Sequence, residues 1–164
     1  MRDPEPVPLE RPDHMPRLHE TIETRLPVDE TFAFVADFAN CPAWDPNTVT
    51  SERLDAGPVG VGARYALGVR QRGGVVPMEY RVVTWEPGRR VVLAGEGSNV
   101  RATDEIRFAP TPTGTRVDYT ADIGLTGWLR LIEPFAGSAF DKLAKDAAAG
   151  MERALEDRAA AAAA

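Results

Sequence analysis

Apolar and polar residues alternate along most of this chain, and the period of the alternation changes twice. Between Arg17 and Thr24, Leu18 and Ile22 fall among polar neighbours, the pattern of a first strand. Pro27-Val28-Asp29-Glu30 then opens a helix, with Asp29 as the expected N-cap and Phe32, Val35, Ala36 and Ala39 at helical spacing. The stretch Asn40-Cys41-Pro42-Ala43-Trp44-Asp45-Pro46 predicts a turn or a one-turn helix, because two prolines so close together break anything longer. From Asn47 to Ile123 the period is two. Strands are predicted at Val49–Leu54, Ala63–Arg70, Val75–Glu86, Arg90–Gly97, Arg101–Phe108 and Thr115–Ile123, parted by turn signals such as Gly73-Gly74 and Glu86-Pro87-Gly88. After Gly127 the period becomes 3.6. Trp128, Ile132, Phe135, Ala139, Leu143, Ala147, Met151 and Leu155 make a stripe that would span about 45 Å of helix at 1.5 Å per residue, kinked or interrupted at Pro134.

This order predicts an α+β fold with a curved antiparallel sheet of seven strands, two short helices after the first strand, and a long C-terminal helix. Ala63, Tyr65, Leu67 and Val69, and again Val117, Tyr119, Ala121 and Ile123, give the sheet a buried face, while Arg64, Arg116, Asp118 and Asp122 give it a wet one. The long helix is the one element large enough to cover the buried face. Where a curved sheet and a helix fail to meet, a cavity remains, the usual home of a small apolar ligand. Residues 1–16 hold five prolines and little that is apolar, which predicts a disordered arm and makes Met15 a candidate start. The domain is expected over 17–158, with 159–164 as an alanine tail.

Composition narrows the chemistry. The chain has 164 residues and a net charge of −6, from 25 acidic against 19 basic residues, which argues against nucleic acid and against an anionic membrane surface as partners. No apolar run approaches the roughly 20 residues of a bilayer span, so no integral membrane association is expected. The single cysteine, Cys41, excludes an internal disulfide and fits a reducing cytoplasm. With only His14 and His19 as histidines, neither a zinc site nor a Ser-His-Asp triad can be assembled plausibly, and no cofactor or metal is expected. Gly57-Pro58-Val59-Gly60-Val61-Gly62 has the wrong spacing for a phosphate-binding loop.

Three segments carry a resemblance to a known family. They are Leu26-Pro27-Val28-Asp29-Glu30-Thr31-Phe32 with Pro42-Ala43-Trp44, the long strand Met78-Glu79-Tyr80-Arg81-Val82-Val83-Thr84-Trp85-Glu86-Pro87-Gly88-Arg89-Arg90-Val91-Val92-Leu93, and Gly114-Thr115-Arg116-Val117-Asp118-Tyr119. Over residues 17 to 158 the chain resembles the SRPBCC superfamily (START-like and Bet v 1-like), in its bacterial polyketide cyclase/dehydrase and lipid-transport branch. The resemblance implies a helix-grip fold, the sheet wrapped around the long helix. It implies either binding of a lipid, isoprenoid or polyketide-like molecule or cyclase/dehydratase chemistry without a cofactor. Cyclases of this type carry a polar, arginine-containing set on the strand matching Val75–Glu86. Here the inward positions are Met78, Tyr80, Val82 and Thr84, a departure that favours binding over catalysis.

Candidate site residues follow from the inward faces. Trp44 either stacks on a ligand or plugs the end of the sheet. Tyr65, Tyr80 and Tyr119 are inward phenols that either orient a ligand oxygen or bond backbone. Asp104 shares the side of Ile106 and Phe108, so it is either a buried acid-base group, the one catalytic candidate, or an acid at the wet start of its strand. Leu67, Met78, Val82, Ile106 and Phe108 from the sheet, with Phe135, Phe140 and Leu143 from the helical stripe, complete the expected ligand-binding set. Cys41 reads as structural. The expected partner is a small hydrophobic molecule, and the expected state a cytoplasmic monomer or homodimer.

Overall fold

The computed structural model describes residues 17–164; the proline-rich arm expected at 1–16 lies outside the described residues. Strand β1 (Arg17–Thr24) leads into helix α1 (Val28–Val35), a 3-10 turn (Phe38–Asn40) and the one-turn helix α2 (Cys41–Trp44). Six strands follow: β2 (Thr48–Arg53), β3 (Arg64–Gln71), β4 (Gly74–Glu86), β5 (Arg90–Glu96), β6 (Val100–Thr111) and β7 (Gly114–Leu125). A 3-10 segment (Gly127–Phe135) and helix α3 (Gly137–Ala162) complete the chain. The seven strands form one antiparallel sheet in the order β1-β7-β6-β5-β4-β3-β2, with β1 folded back beside β7. The seven-stranded antiparallel sheet that the alternation predicts is present, in the helix-grip architecture that the resemblance implies.

The β1–α1 corner is held by hydroxyls. Thr31 Oγ1 donates to the carbonyl of Pro27 at 2.9 Å, and Thr115 Oγ1, from the start of β7, donates to that of Leu26 at 2.8 Å. Pro27, not Asp29, occupies the N-cap; Asp29 and Glu30 sit in the first turn, where the helix dipole favours acids. Helix α1 stops at Val35 because Asp37 accepts from the backbone N–H of Ala39 at 3.1 Å and starts a new turn, which leaves Ala39 exposed.

Inward parity holds through Met78, Tyr80 and Val82 in β4, then breaks. A bulge between Val82 and Thr84 reverses the faces, so Trp85 rather than Thr84 turns to the core, with its ring edge-on to Phe32 at 4.9 Å. On the outer face Glu79 meets Arg64 across β3 at 3.3 Å, an exposed pair of small energetic weight.

The helical stripe is split. Gly127, in the left-handed region at φ 64°, turns the chain into the 3-10 segment, and Pro134 inside it precludes a continuous α-helix. Trp128 is 71 % exposed and Phe135 84 %, so this part of the stripe faces solvent and not the sheet. Helix α3 buries Phe140, Ala144, Ala147, Met151 and Leu155 against the sheet. The helix continues through the alanine tail to Ala162, and Ala159 is itself buried, with Arg158 stacked 3.7 Å over the Phe34 ring. No helix among the described residues is long and apolar enough to cross a membrane.

Candidate functional site

Small residues on α3 leave space between the helix and the sheet. Ala144 and Ala147 face Ala102 and Ala121 there, and a cavity of about 70 Å³ remains. Sheet residues Leu67, Met78, Tyr80 and Tyr119 line it, Trp44 and Phe38 close one side, and Phe140 and Leu143 come from α3. Asp45, Asn47, Val69, Gln71, Ile123 and Leu143 are the partly exposed residues of the wall; the rest are buried.

The polar groups of this wall are largely bonded to one another. Asp104 is 4 % exposed and accepts a hydrogen bond from the Tyr119 hydroxyl at 2.6 Å. Ile106 and Phe108 share its side of β6 and are buried below it. Burial raises the Asp104 carboxyl from its usual 3.8 to about 6, against the opposing hydrogen bond from Tyr119. Burial first, and the nearby Asp104 second, push the Tyr80 and Tyr119 phenols well above their ordinary range, so both stay protonated donors. Tyr80 owes its position to Gly95, its cross-strand partner: a Cβ there would meet the Tyr80 ring at 2.6 Å. Burial also raises Asp45, which accepts from Thr48 Oγ1 at 2.7 Å and from the backbone N–H of Asn47 at 2.9 Å. Asn47 in turn donates to the Leu143 carbonyl at 3.2 Å, tying the start of β2 to α3. Burial likewise drives the Cys41 thiol well up, so it stays a thiol, donating to Thr48 Oγ1 at 3.5 Å. Among the described residues the lining carries two carboxyl groups and no Lys, Arg or His.

The structure thus brings Asp104 together with Trp44, Leu67, Met78, Tyr80, Tyr119, Phe140 and Leu143. Tyr65, Val82, Ile106 and Phe108 are buried but lie off the cavity wall, and the Tyr65 hydroxyl is engaged by Asp37 at 2.9 Å. Phe135 lies in solvent beyond it, because the stripe it was read from divides at Pro134. Asp45, Asn47 and Thr48 join the site unforeseen, since a proline-broken turn has no period from which to read a facing direction. Among the described residues no three His, Cys, Asp or Glu side chains gather as a metal site would require.

The whole arrangement of strands and helices, matched against family models, agrees with one described as polyketide cyclase/dehydrase and lipid transport over residues 15–156. The chain belongs to that family. Similar solved structures bear out the fold. An aromatase/cyclase from Streptomyces sp. R1128 superposes with a TM-score of 0.74 at 17 % identity, covering 92 % of this chain and 97 % of its own. A START superfamily protein from Mycobacterium smegmatis gives 0.70 at 18 % identity, over 89 % and 98 %. A protein from Thermus thermophilus gives 0.70 at 20 % identity, over 91 % and 100 %. No curated protein matches the sequence. Membership of this polyketide cyclase and lipid-transport family supports hydrophobic-ligand binding or cyclase-type activity as the class of function.

Proposed function

We propose that this family member binds and carries a small, neutral hydrophobic molecule, of lipid, isoprenoid or polyketide type, in the cavity between sheet and α3, without altering it. The observation that carries this reading is the wall itself. It is mostly aliphatic and aromatic, its acids accept from neighbouring hydroxyls, and among the described residues no basic side chain lines it to hold an anion or polarise a carbonyl. A fatty-acid carboxylate would lie beside Asp104 and Asp45 with no counter-charge, which is unfavourable in a low dielectric. About 70 Å³ accepts a ring or the end of a longer chain rather than a whole lipid. The protein is read as cytoplasmic, needing neither metal nor cofactor.

Filling the cavity tests the reading. In Ala144→Leu the added carbons enter the space directly, while wild-type protein should bind the neutral probe N-phenyl-1-naphthylamine saturably at one site. The variant is expected to lose at least tenfold in affinity with its thermal stability kept or slightly raised, as cavity filling commonly gives. Unchanged probe binding in a folded Ala144→Leu would place the ligand elsewhere.

One observation favours a second reading. A carboxyl titrating at about 6 beside the phenol of Tyr119 is suited to proton transfer near neutral pH, as a cofactor-free cyclase or dehydratase would need. Asp104 would be its acid-base group, with Tyr80 or Tyr119 as hydrogen-bond donor to the substrate oxygen.

A further inference from the structure

One segment of the chain is turned inside out. Gly127–Phe135 directs Trp128, Leu131, Ile132 and Phe135 into solvent, Leu131 to 80 % of its surface. Its acid, Glu133, points the other way, and Oε1 accepts from the backbone N–H of Leu125 at 2.9 Å. Among the described residues eight large apolar side chains are exposed, and four of them lie in these nine residues. Single exposed apolar side chains are ordinary, whereas a cluster marks a contact surface. The segment lies at the cavity end of the sheet: it joins Ile123 of β7 to Phe140 of α3, both wall residues, and Leu125 pairs with Val100, a third. The charges beside it cancel. From 127 to 146, Arg130, Lys142 and Lys145 stand against Glu133, Asp141 and Asp146, so none of the net charge of −6 falls here. The four side chains offer on the order of 500 Å² of surface, short of the roughly 800 Å² per partner of a standard protein interface. Side chains this exposed stand clear of the body, and a rigid partner would need a matching socket for them. A bilayer closes around any convex shape, and tryptophan among aliphatic side chains is the mixture that settles at its interface with water.

We propose that Trp128, Leu131, Ile132 and Phe135 dock the protein on the surface of an uncharged, phosphatidylcholine-type bilayer, entering the boundary between headgroups and acyl chains without spanning it. Arg130, exposed on the same segment, reaches the lipid phosphates from there. Apolar burial and not charge drives the contact, so salt changes it little. Docking goes beyond the ligand reading and does not depend on what the cavity holds. It sets the cavity end of the sheet against a lipid phase.

The test floats the full chain with vesicles of pure 1-palmitoyl-2-oleoyl-phosphatidylcholine. Wild-type protein should move with the vesicles at millimolar lipid, within about twofold at low and at high NaCl. The same lipid brominated in its acyl chains should quench tryptophan emission, and the quenching should largely vanish in Trp128→Phe, because Trp44 is buried and Trp85 packs against Phe32. Leu131→Ser with Phe135→Ser changes only solvent-facing side chains, so its thermal melt should match the wild type while partitioning falls at least about tenfold. Wild type left unbound at several millimolar lipid, flotation unaffected by the double variant, or flotation abolished by salt would overturn the proposal. So would a lipid-free dimer, seen by light scattering, that the double variant converts to monomer, since a second copy would then cover the patch. None of these results touches the cavity reading, which the N-phenyl-1-naphthylamine titration in lipid-free buffer measures separately.

Discussion

Asp104→Asn is expected to make the protein more stable at pH 8, not less, and to flatten its stability between pH 4 and pH 7. An acid whose folded pKa lies above its unfolded value holds more protons in the native state between the two. Unfolding then releases protons, so stability falls as pH rises through that window. For Asp104 the window runs from the usual 3.8 to about 6, and above it the full cost is present. A shift of about two units corresponds to roughly 3 kcal/mol, an upper bound because the Tyr119 hydrogen bond is retained by the asparagine carbonyl while its amide must find a partner. A gain of roughly 1–3 kcal/mol at pH 8, vanishing towards pH 4, is therefore the expected result of paired denaturant melts. A variant less stable at pH 8 with an unchanged pH slope would show that Asp104 is not held above its normal range. The same protein separates the two functional readings. Under the binding reading it keeps its ligand affinity and there is no turnover to lose; under the catalytic one it loses turnover with affinity intact.

Gly150→Ala should be the most damaging single methyl in α3. A Cβ at Gly150 would overlap the backbone carbonyl oxygen of Trp44 and lie 2.8 Å from Cδ of Pro46. Neither neighbour is the free end of a side chain, so the helix itself must move. Alanine improves helix propensity by about 1 kcal/mol, whereas overpacking of this kind costs about 3 kcal/mol or somewhat more. The clash wins, and a net loss of about 2 kcal/mol is expected, a fall of roughly 4–8 °C in Tm for a chain of this size. The displacement should also reach the cavity, because Leu143, Ala144 and Ala147 ride on the same helix. Probe affinity should therefore fall along with stability. A Gly150→Ala protein as stable as the wild type would mean that α3 does not pack this closely on the Trp44 turn.

Much of the fold was legible because a half-buried antiparallel sheet writes its faces into the chain at period two. Tyr65 and Leu67, Met78 and Tyr80, and Tyr119 and Ala121 all turn inward as their alternation requires. The β4 bulge was not legible, since Val82-Val83-Thr84 suits a strand in either register and the extra residue is defined only by its partner strand. Apolar spacing alone carried the helical stripe through Trp128 and Phe135. Gly127 and Pro134 were the local signals that it breaks, and they decide the geometry there. Asp104 could be read as inward but not as buried, because depth in a strand depends on what covers it. The same limit hid Gly150, whose importance lies in the backbone carbonyl of Trp44, far earlier in the chain. The Trp44 indole belongs to this class too: a sequence shows a tryptophan, whereas only packing shows a donor without a partner.

Native mass spectrometry of the freshly purified full-length protein, followed by solvent extraction of whatever it releases, tests the central claim most directly. The expected result is a discrete, neutral apolar mass bound one to one, lost on denaturation, and recovered chemically unchanged after hours with the protein. A released molecule that is converted to a product on re-incubation with the protein would contradict the account and put the acid-base role of Asp104 in its place.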